Sequence, residues 1–221
     1  MIVLGLTGSI GMGKSTAATM LRRMGLPLHD ADAVVHRLLG PGGAAVREVL
    51  SAFPGVGSWE RGIDRQKLGR HVFADPPALK RLERILHPKV RAANARFLAA
   101  CARRRVRTVI QDVPLLYETG GDRHCDAVLV VSAPAFLQRQ RVMARPGMTE
   151  AKFRAILGKQ MPDRLKRSLT PYVVETGLGK RHSLIMLRRF VKLVEARHGT
   201  GSAYRHARNR PRYGNHRPRS G

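Results

Sequence analysis

Cysteine is nearly absent from this 221-residue chain: there are two, Cys101 and Cys125, and neither belongs to a C-x-x-C pair. That spacing excludes a zinc ribbon or a disulfide framework and suits a reducing cytoplasm, where the chain is expected to reside. No apolar run approaches the roughly 20 residues needed to cross a bilayer, so no membrane association is expected. The apolar run at the start, Ile2-Val3-Leu4-Gly5-Leu6, is too short for a secretory signal and has no basic residue before it. Aromatic residues make up only 5% of the chain, which leaves few platforms on which single-stranded bases would stack. Acidic residues are the other deficit, 15 against 41 Lys and Arg, for a formal charge of +26. The last 23 residues carry six Arg and no acid, and removing those six charges still leaves +20. Basicity therefore belongs to the body as well as to the tail. Such a field draws polyanions, whether nucleotides, coenzymes or nucleic acid. No nucleic-acid recognition motif accompanies it.

What is present is a phosphate loop. Gly8-Ser9-Ile10-Gly11-Met12-Gly13-Lys14-Ser15-Thr16 fits G-x-x-x-x-G-K-[ST], with an apolar strand before it and Ala17-Ala18-Thr19-Met20-Leu21 after it. Gly8, Gly11 and Gly13 are expected to take left-handed conformations and turn backbone N–H groups inward. Those donors and the positive end of the following helix make a seat for phosphate oxygens. Lys14 would reach the β- and γ-phosphates, and the Ser15 hydroxyl would ligate Mg²⁺.

The rest of the chain alternates strand and helix. Lys14 to about Met24 reads as a helix stopped by Gly25-Leu26-Pro27, and a second helix runs from Ala31 to Leu39 after the short segment Leu28-His29-Asp30. Gly40-Pro41-Gly42-Gly43 breaks the chain, Ala44 to Phe53 is helical in pattern, and Pro54 to Gly62 reads as loop. From Asp64 to about Arg105 the pattern is helix after helix. Asp64 and Asp75 stand at capping positions, and His87-Pro88 is expected to interrupt before Val90 continues on a new helix. Thr108 to Val113, Ala127 to Val131 and Tyr172 to Val174 read as buried strands of a parallel sheet. Thr149 caps a helix that ends before Pro162, and Ser183 is expected to start the last helix, with Leu184, Leu187, Val191 and Val194 on one face. The expectation is an α/β fold, a five-stranded parallel sheet flanked by helices, with ligands at the carboxyl ends of the strands. It comprises a domain over residues 1–198, with a helical insertion at about 60–106 and a short lid at about 136–150. Residues 199–221 have too few apolar side chains to offset their ordering entropy and read as a disordered basic tail.

A phosphate loop alone says nucleotide. Switch GTPases also need a guanine-reading motif such as N-K-x-D, which is missing, and large ATPase motors need more chain. A small kinase is left. The blocks Leu6 through Thr16, Asp30-Ala31-Asp32, Val72-Phe73-Ala74-Asp75-Pro76, Leu82 through Pro88, Asp112-Val113-Pro114-Leu115-Leu116-Tyr117-Glu118 and Gln160-Met161-Pro162 stand in an order that resembles the dephospho-CoA kinase family, a P-loop kinase fold, over nearly all of residues 1–195. The resemblance implies transfer of a phosphoryl group from ATP, with Mg²⁺, to the ribose 3′-hydroxyl of dephospho-CoA. It implies that Asp32 orients that hydroxyl and accepts its proton. Asp30 is either a helix cap or a holder of Mg²⁺ through water, and Asp112 a turn residue or a group close to the metal or the acceptor. Gly8, Gly11, Met12, Gly13, Lys14, Ser15 and Thr16 hold the nucleotide phosphates.

Arg141 and Arg145, four apart, form either a solvated face or a lid that compensates charge on the γ-phosphate, with Arg141 acting in catalysis and Arg145 in nucleotide binding. His87 is either a buried histidine shaping the helix junction or a substrate contact, Arg91 is placed toward a coenzyme phosphate, and Tyr117 is expected to pack in the acceptor pocket. One segment departs from the family: Thr170-Pro171-Tyr172-Val173-Val174-Glu175-Thr176 stands where the usual pattern resembles A-D-Y-V-I-x-N, a region near the adenine. The basic tail lies outside the resemblance and is available to acidic partners. Two alternatives stay open at this level: a P-loop kinase of another nucleotide-like or small-alcohol acceptor, and a nucleic-acid-associated P-loop protein.

Overall fold

A computed structural model describes residues 1–73 and 75–199. Ile2–Thr7 (β1) leads through the loop into Lys14–Arg23 (α1), and Leu28–Asp30 (β2) into Ala31–Leu39 (α2). Val46–Ala52 (α3), a two-stranded hairpin of Gly57–Ser58 (β3) and Gly62–Ile63 (β4), Arg65–Phe73 (α4) and Pro76–Arg103 (α5) follow. The chain returns through Thr108–Asp112 (β5), Ala127–Ser132 (β6), Ala135–Met143 (α6), Glu150–Gly158 (α7), Asp163–Ser168 (α8), Val173–Glu175 (β7) and Lys180–Gly199 (α9). Five parallel strands lie in the order β2-β5-β1-β6-β7. The sheet is as expected.

Every residue of β5 and β6 is buried, which is why β6 reads as a nearly continuous apolar run instead of an alternating one, while β5 carries buried Gln111 and Asp112 at its carboxyl end. Leu4, Leu6, Leu129 and Val131 pack with Ala17, Ala18 and Leu21 of α1 and with Leu187, Phe190, Val191 and Val194 of α9. Each such large side chain contributes about 1.5–3 kcal/mol when fully buried. Leu116, Tyr117, Cys125, Val128 and Val130 form a smaller cluster, against which Val3, Met161 and Leu169 pack. Burial also pushes the Cys125 thiol up to about 12, so it is a packing residue rather than a nucleophile.

A second core draws on Leu39, Val46, Val49, Phe53, Val56, Ile63, Leu68, Val72 and Leu82 and shares no residue with the core around the sheet. Here two expectations fail. The stretch from Pro54 to Gly62 is not all loop, since Gly57 pairs with Ile63 and Ser58 with Gly62. Pro88 does not end a helix: α5 runs 28 residues through it. The missing N–H removes one hydrogen bond, but Leu82, Ile85 and Leu86 before it are held in the second core. After it, Asn94 Oδ1 accepts from Gln111 Nε2 at 2.7 Å, and Phe97 lies 5.2 Å from the His29 ring. Packing on both sides keeps the helix in one piece.

Capping behaves as the side chains dictate. Asp30, Asp75 and Thr149 accept from the N–H groups of Ala33, Ala78 and Lys152, and Asp64 accepts from Gln66 and Lys67. Ser183 is no cap: α9 begins at Lys180, and the Ser183 hydroxyl donates back to the Gly179 carbonyl at 3.0 Å. No helix among the described residues is long and apolar enough to cross a membrane. The expected tail falls on residues 200–221, outside the described residues, apart from Gly199 at the end of α9.

Candidate active site

Register brings the chemistry together. Leu6 of β1 lies opposite Asp112 of β5, and Asp112 opposite Asp30 of β2. The carboxyl ends of three strands are therefore level, with the phosphate loop leaving from one of them. Gly11 and Gly13 have φ of 77° and 87°, the left-handed region that other residues enter at a cost. Gly8 is different: its φ is ordinary for any residue, and it is needed because a Cβ there would lie 2.7 Å from the Val131 carbonyl oxygen. The loop is pressed against the end of β6.

Two recesses meet at this point. One, of about 590 Å³, is lined by Gly8, Gly11, Gly13, Lys14, Ser15 and Thr16, with Asp32, Arg141 and Arg145 facing the same space. The other, of about 410 Å³, is lined by Lys14, Ser15, Asp30, Asp32 and Asp112 together with Arg22 and His36. Lys14, Ser15 and Asp32 belong to both, so they stand where the recesses join. Met12, expected among the nucleotide-binding residues, lines neither recess: its side chain is buried, its sulfur accepts from the Ala133 N–H at 3.1 Å, and its own N–H donates to the Ser9 carbonyl at 3.1 Å.

Lys14 Nζ lies 2.5 Å from Asp112 Oδ1. Burial raises the Asp112 carboxyl above its usual range, Lys14 opposes that, and the charges of Asp30 and Asp32 push it further up. Three carboxylates thus line one recess with Lys14, the Ser15 hydroxyl and Arg22. Asp30 caps α2 and also lies 3.6 Å from Arg22. Among the described residues no cluster of three or more His, Cys, Asp or Glu is able to cage a metal by itself. The donors fit a hard cation that keeps several waters and shares its coordination with phosphate oxygens, the habit of Mg²⁺.

Some residues held in the site were not foreseen from the sequence. Gln160 Oε1 accepts from the Ile10 N–H at 3.0 Å, and Gln138 Nε2 donates to the Ile10 carbonyl at 2.8 Å. One loop residue is gripped through both of its backbone polar groups. Gln160 is itself steadied by its neighbour: Glu118 Oε1 accepts from the Met161 N–H at 2.8 Å and pairs with the fully buried Lys166 at 2.9 Å. Arg141 is held by Thr176, and Thr176, Lys180 and Ser183 line the larger recess. The Gln160-Met161-Pro162 block, the block from Asp112 through Glu118 and the departing segment that ends at Thr176 carried a signal; Gln138, Lys166, Lys180 and Ser183 carried none as site residues.

Other predicted site residues lie elsewhere. His87 and Arg91 are exposed on α5 and line neither recess. With the helix unbroken, there is no junction for a buried histidine to shape. Tyr117 is buried in the smaller cluster and borders a recess of about 220 Å³ with Asp126 and Tyr172, at the amino ends of β6 and β7. That is the opposite end of the sheet from the phosphate loop. Arg145 follows the last turn of α6 instead of lying within it.

Comparison with known proteins agrees with this geometry. The family model described as dephospho-CoA kinase matches residues 2–179. A dephospho-CoA kinase of Rhodospirillum rubrum is 59% identical over 198 residues, covering 90% of this chain and 93% of that protein. One of Paramagnetospirillum magneticum is 62% identical over 167 residues, 76% of this chain and 78% of that one. Among solved structures, a Thermus thermophilus protein superposes with a TM-score of 0.76 at 35% identity, covering 87% of this chain and 96% of its own.

Proposed function

The chain belongs to the dephospho-CoA kinase family, and on that footing we propose that it transfers the γ-phosphoryl group of ATP to the ribose 3′-hydroxyl of dephospho-CoA, the last step of coenzyme A synthesis, in the cytoplasm. The observation that carries this reading is the convergence of Lys14, Ser15, Asp32, Arg141 and Arg145 on one cleft built around the phosphate loop. Family membership does not favour the other-acceptor kinase or the nucleic-acid-associated protein.

In this reading the loop N–H groups and Lys14 take the β- and γ-phosphates, and Lys14 exchanges Asp112 for phosphate oxygen. Asp32, at the join of the two recesses, orients the 3′-hydroxyl and receives its proton. The oxygen–phosphorus bond forms at the 3′ position as the bond to the β–γ bridging oxygen breaks, its electron pair leaving with ADP. Such transition states are loose, so placement and charge compensation matter more than a strong base. Arg141 and Arg145 meet the charge on the transferring group. Ser15, with Asp112 or Asp30 through water, would hold Mg²⁺. Mg²⁺ held there would supply positive charge that offsets the charge of the reacting phosphates. The stretch of about 60–106 serves as the acceptor-binding insertion, and residues of about 136–150 as the lid. His87 and Arg91 lie outside the transfer machinery on α5. The basic tail is assigned non-specific polyanion binding.

The test is ATP consumption by the purified protein with Mg²⁺, with and without dephospho-CoA, followed by mass spectrometry of the product. Gain of one phosphoryl group at the 3′ position, lost in Lys14→Ala, is the expected result. ATP binding without transfer to that acceptor would overturn the assignment.

A further inference from the structure

Arg141 does not hang free over the cleft. Its Nη1 donates to Thr176 Oγ1 at 3.0 Å and to the Gly11 carbonyl at 3.4 Å, and its Nη2 donates to the Thr176 carbonyl at 2.9 Å. The Thr176 hydroxyl in turn donates to the Met12 carbonyl at 2.8 Å, with the Ser132 carbonyl at 3.2 Å. A Cβ on Gly13 would come within 3.0 Å of the same oxygen. One threonine, at the start of the turn Thr176–Leu178 between β7 and α9, therefore touches the end of β6, the phosphate loop and the guanidinium.

The donor geometry decides what this contact is for. A guanidinium has five N–H groups in one plane. Thr176 takes the end of the fork, one hydrogen from each terminal nitrogen, and Gly11 takes the second hydrogen of Nη1. What is left is the side edge, Nε–H and the second Nη2–H, which makes no bond to another described residue. Two parallel donors on one edge match two oxygens of a phosphoryl group.

We propose that Thr176 is a positioning residue for phosphoryl transfer: it fastens the end of the Arg141 guanidinium to the phosphate loop, so that the side edge is already aimed when nucleotide arrives. Thr176 touches no reacting atom and acts through Arg141. Fixing a long side chain beforehand removes the ordering cost that a free arginine would meet in the transition state. The proposal rests on the reading of Arg141 given above. It also assigns a task to the segment where this chain departs from the usual family pattern.

Thr176→Val keeps the shape and removes the hydroxyl, Thr176→Ser keeps the hydroxyl, and Arg141→Ala removes the group acted upon. Steady-state transfer to dephospho-CoA is measured for each variant and for the Arg141→Ala, Thr176→Val double variant. Loss of a hydrogen bond to a charged group predicts about a tenfold fall in kcat for Thr176→Val. The KM for dephospho-CoA should be unchanged, Thr176→Ser should come within about twofold of wild type, and Thr176→Val should add nothing in the Arg141→Ala background. Wild-type turnover in Thr176→Val, the full fall persisting without Arg141, or failure of Thr176→Ser to rescue would each overturn the proposal. Wild-type turnover in Arg141→Ala would remove the arginine's assignment and Thr176's with it. Absence of transfer by the wild-type protein would mark the separate failure of the kinase reading.

Discussion

Lys14→Ala should destabilise the nucleotide-free protein as well as inactivate it. The side chains of Lys14 and Asp112 are 17% and 4% exposed and form an ion pair at 2.5 Å. Removing one partner of a buried pair costs about 3–5 kcal/mol, because the other charge stays behind without compensation. Here the remaining carboxylate also sits beside Asp30 and Asp32, whose charges act in the same direction as burial. Taking up a proton relieves the stranded carboxylate, at about 1.4 kcal/mol for each pH unit by which the solution lies above the ordinary carboxylate value. That escape is cheap in mild acid and costly in alkali, so about 3 kcal/mol of destabilisation is expected at pH 8.

The sign of the pH dependence follows from the direction in which Asp112 is displaced. Burial already raises the folded-state value of Asp112 above that of the unfolded chain. The folded protein therefore binds more protons between the two values, and stability falls as pH rises through the folded one. Without Lys14 the folded value climbs further, and the deficit widens toward neutral and alkaline pH. Urea unfolding without nucleotide, at pH 5.5 and 8, should show a lower midpoint for Lys14→Ala and a larger gap at pH 8. Adding Asp112→Asn should close most of that gap. A single variant as stable as wild type at pH 8, or a pH-independent deficit that Asp112→Asn does not relieve, would refute the reasoning.

Asp32→Asn keeps the shape at the join of the two recesses and removes the proton acceptor; kcat at saturating dephospho-CoA should fall at least about 100-fold, and near-normal turnover would remove Asp32 from the proposed role. Pro88→Ala restores an N–H inside the otherwise continuous α5. After allowance for the freer unfolded chain it should stabilise by about 1 kcal/mol, or about 2–4 °C in Tm, and an unchanged or lower Tm would show that the proline has no net cost there.

The sequence disclosed what is local. A glycine pattern, an apolar run and a capping side chain act within a few residues, so the loop, the buried strands and the caps at Asp30, Asp75 and Thr149 were all visible. Pro88 misled because a local helix breaker was outweighed by contacts from α5 to the second core and to β2 and β5. The reason for Gly8 was misjudged for the same cause, since the constraint comes from Val131, far along the chain. The level ends of β1, β5 and β2 depend on strand order, and strand order has no periodicity to read. Gln160 reaches Ile10 across 150 positions and Thr176 reaches Met12 across 164. Nothing in either neighbourhood announces the partner. Arg141 and Arg145 were visible only as a pair in a basic chain; both line the recess, Arg141 half-buried and Arg145 exposed.

The separation of the two apolar cores has a consequence for how such a protein diversifies. The phosphate loop rests on the sheet, while Leu39, Val46, Val49, Phe53, Leu68, Val72 and Leu82 bury their side chains in a core that shares no residue with it. The beam between them is α5, 28 residues long and thus about 42 Å. Volume exchanged inside the second core is felt first by the side chains it touches, and that core shares no residue with the one around the sheet. Side chains of the second core can therefore be exchanged one repacking at a time while the sheet, the loop and their hydrogen bonds stay as they are. Change in one interior and constancy in the other can coexist in a single chain.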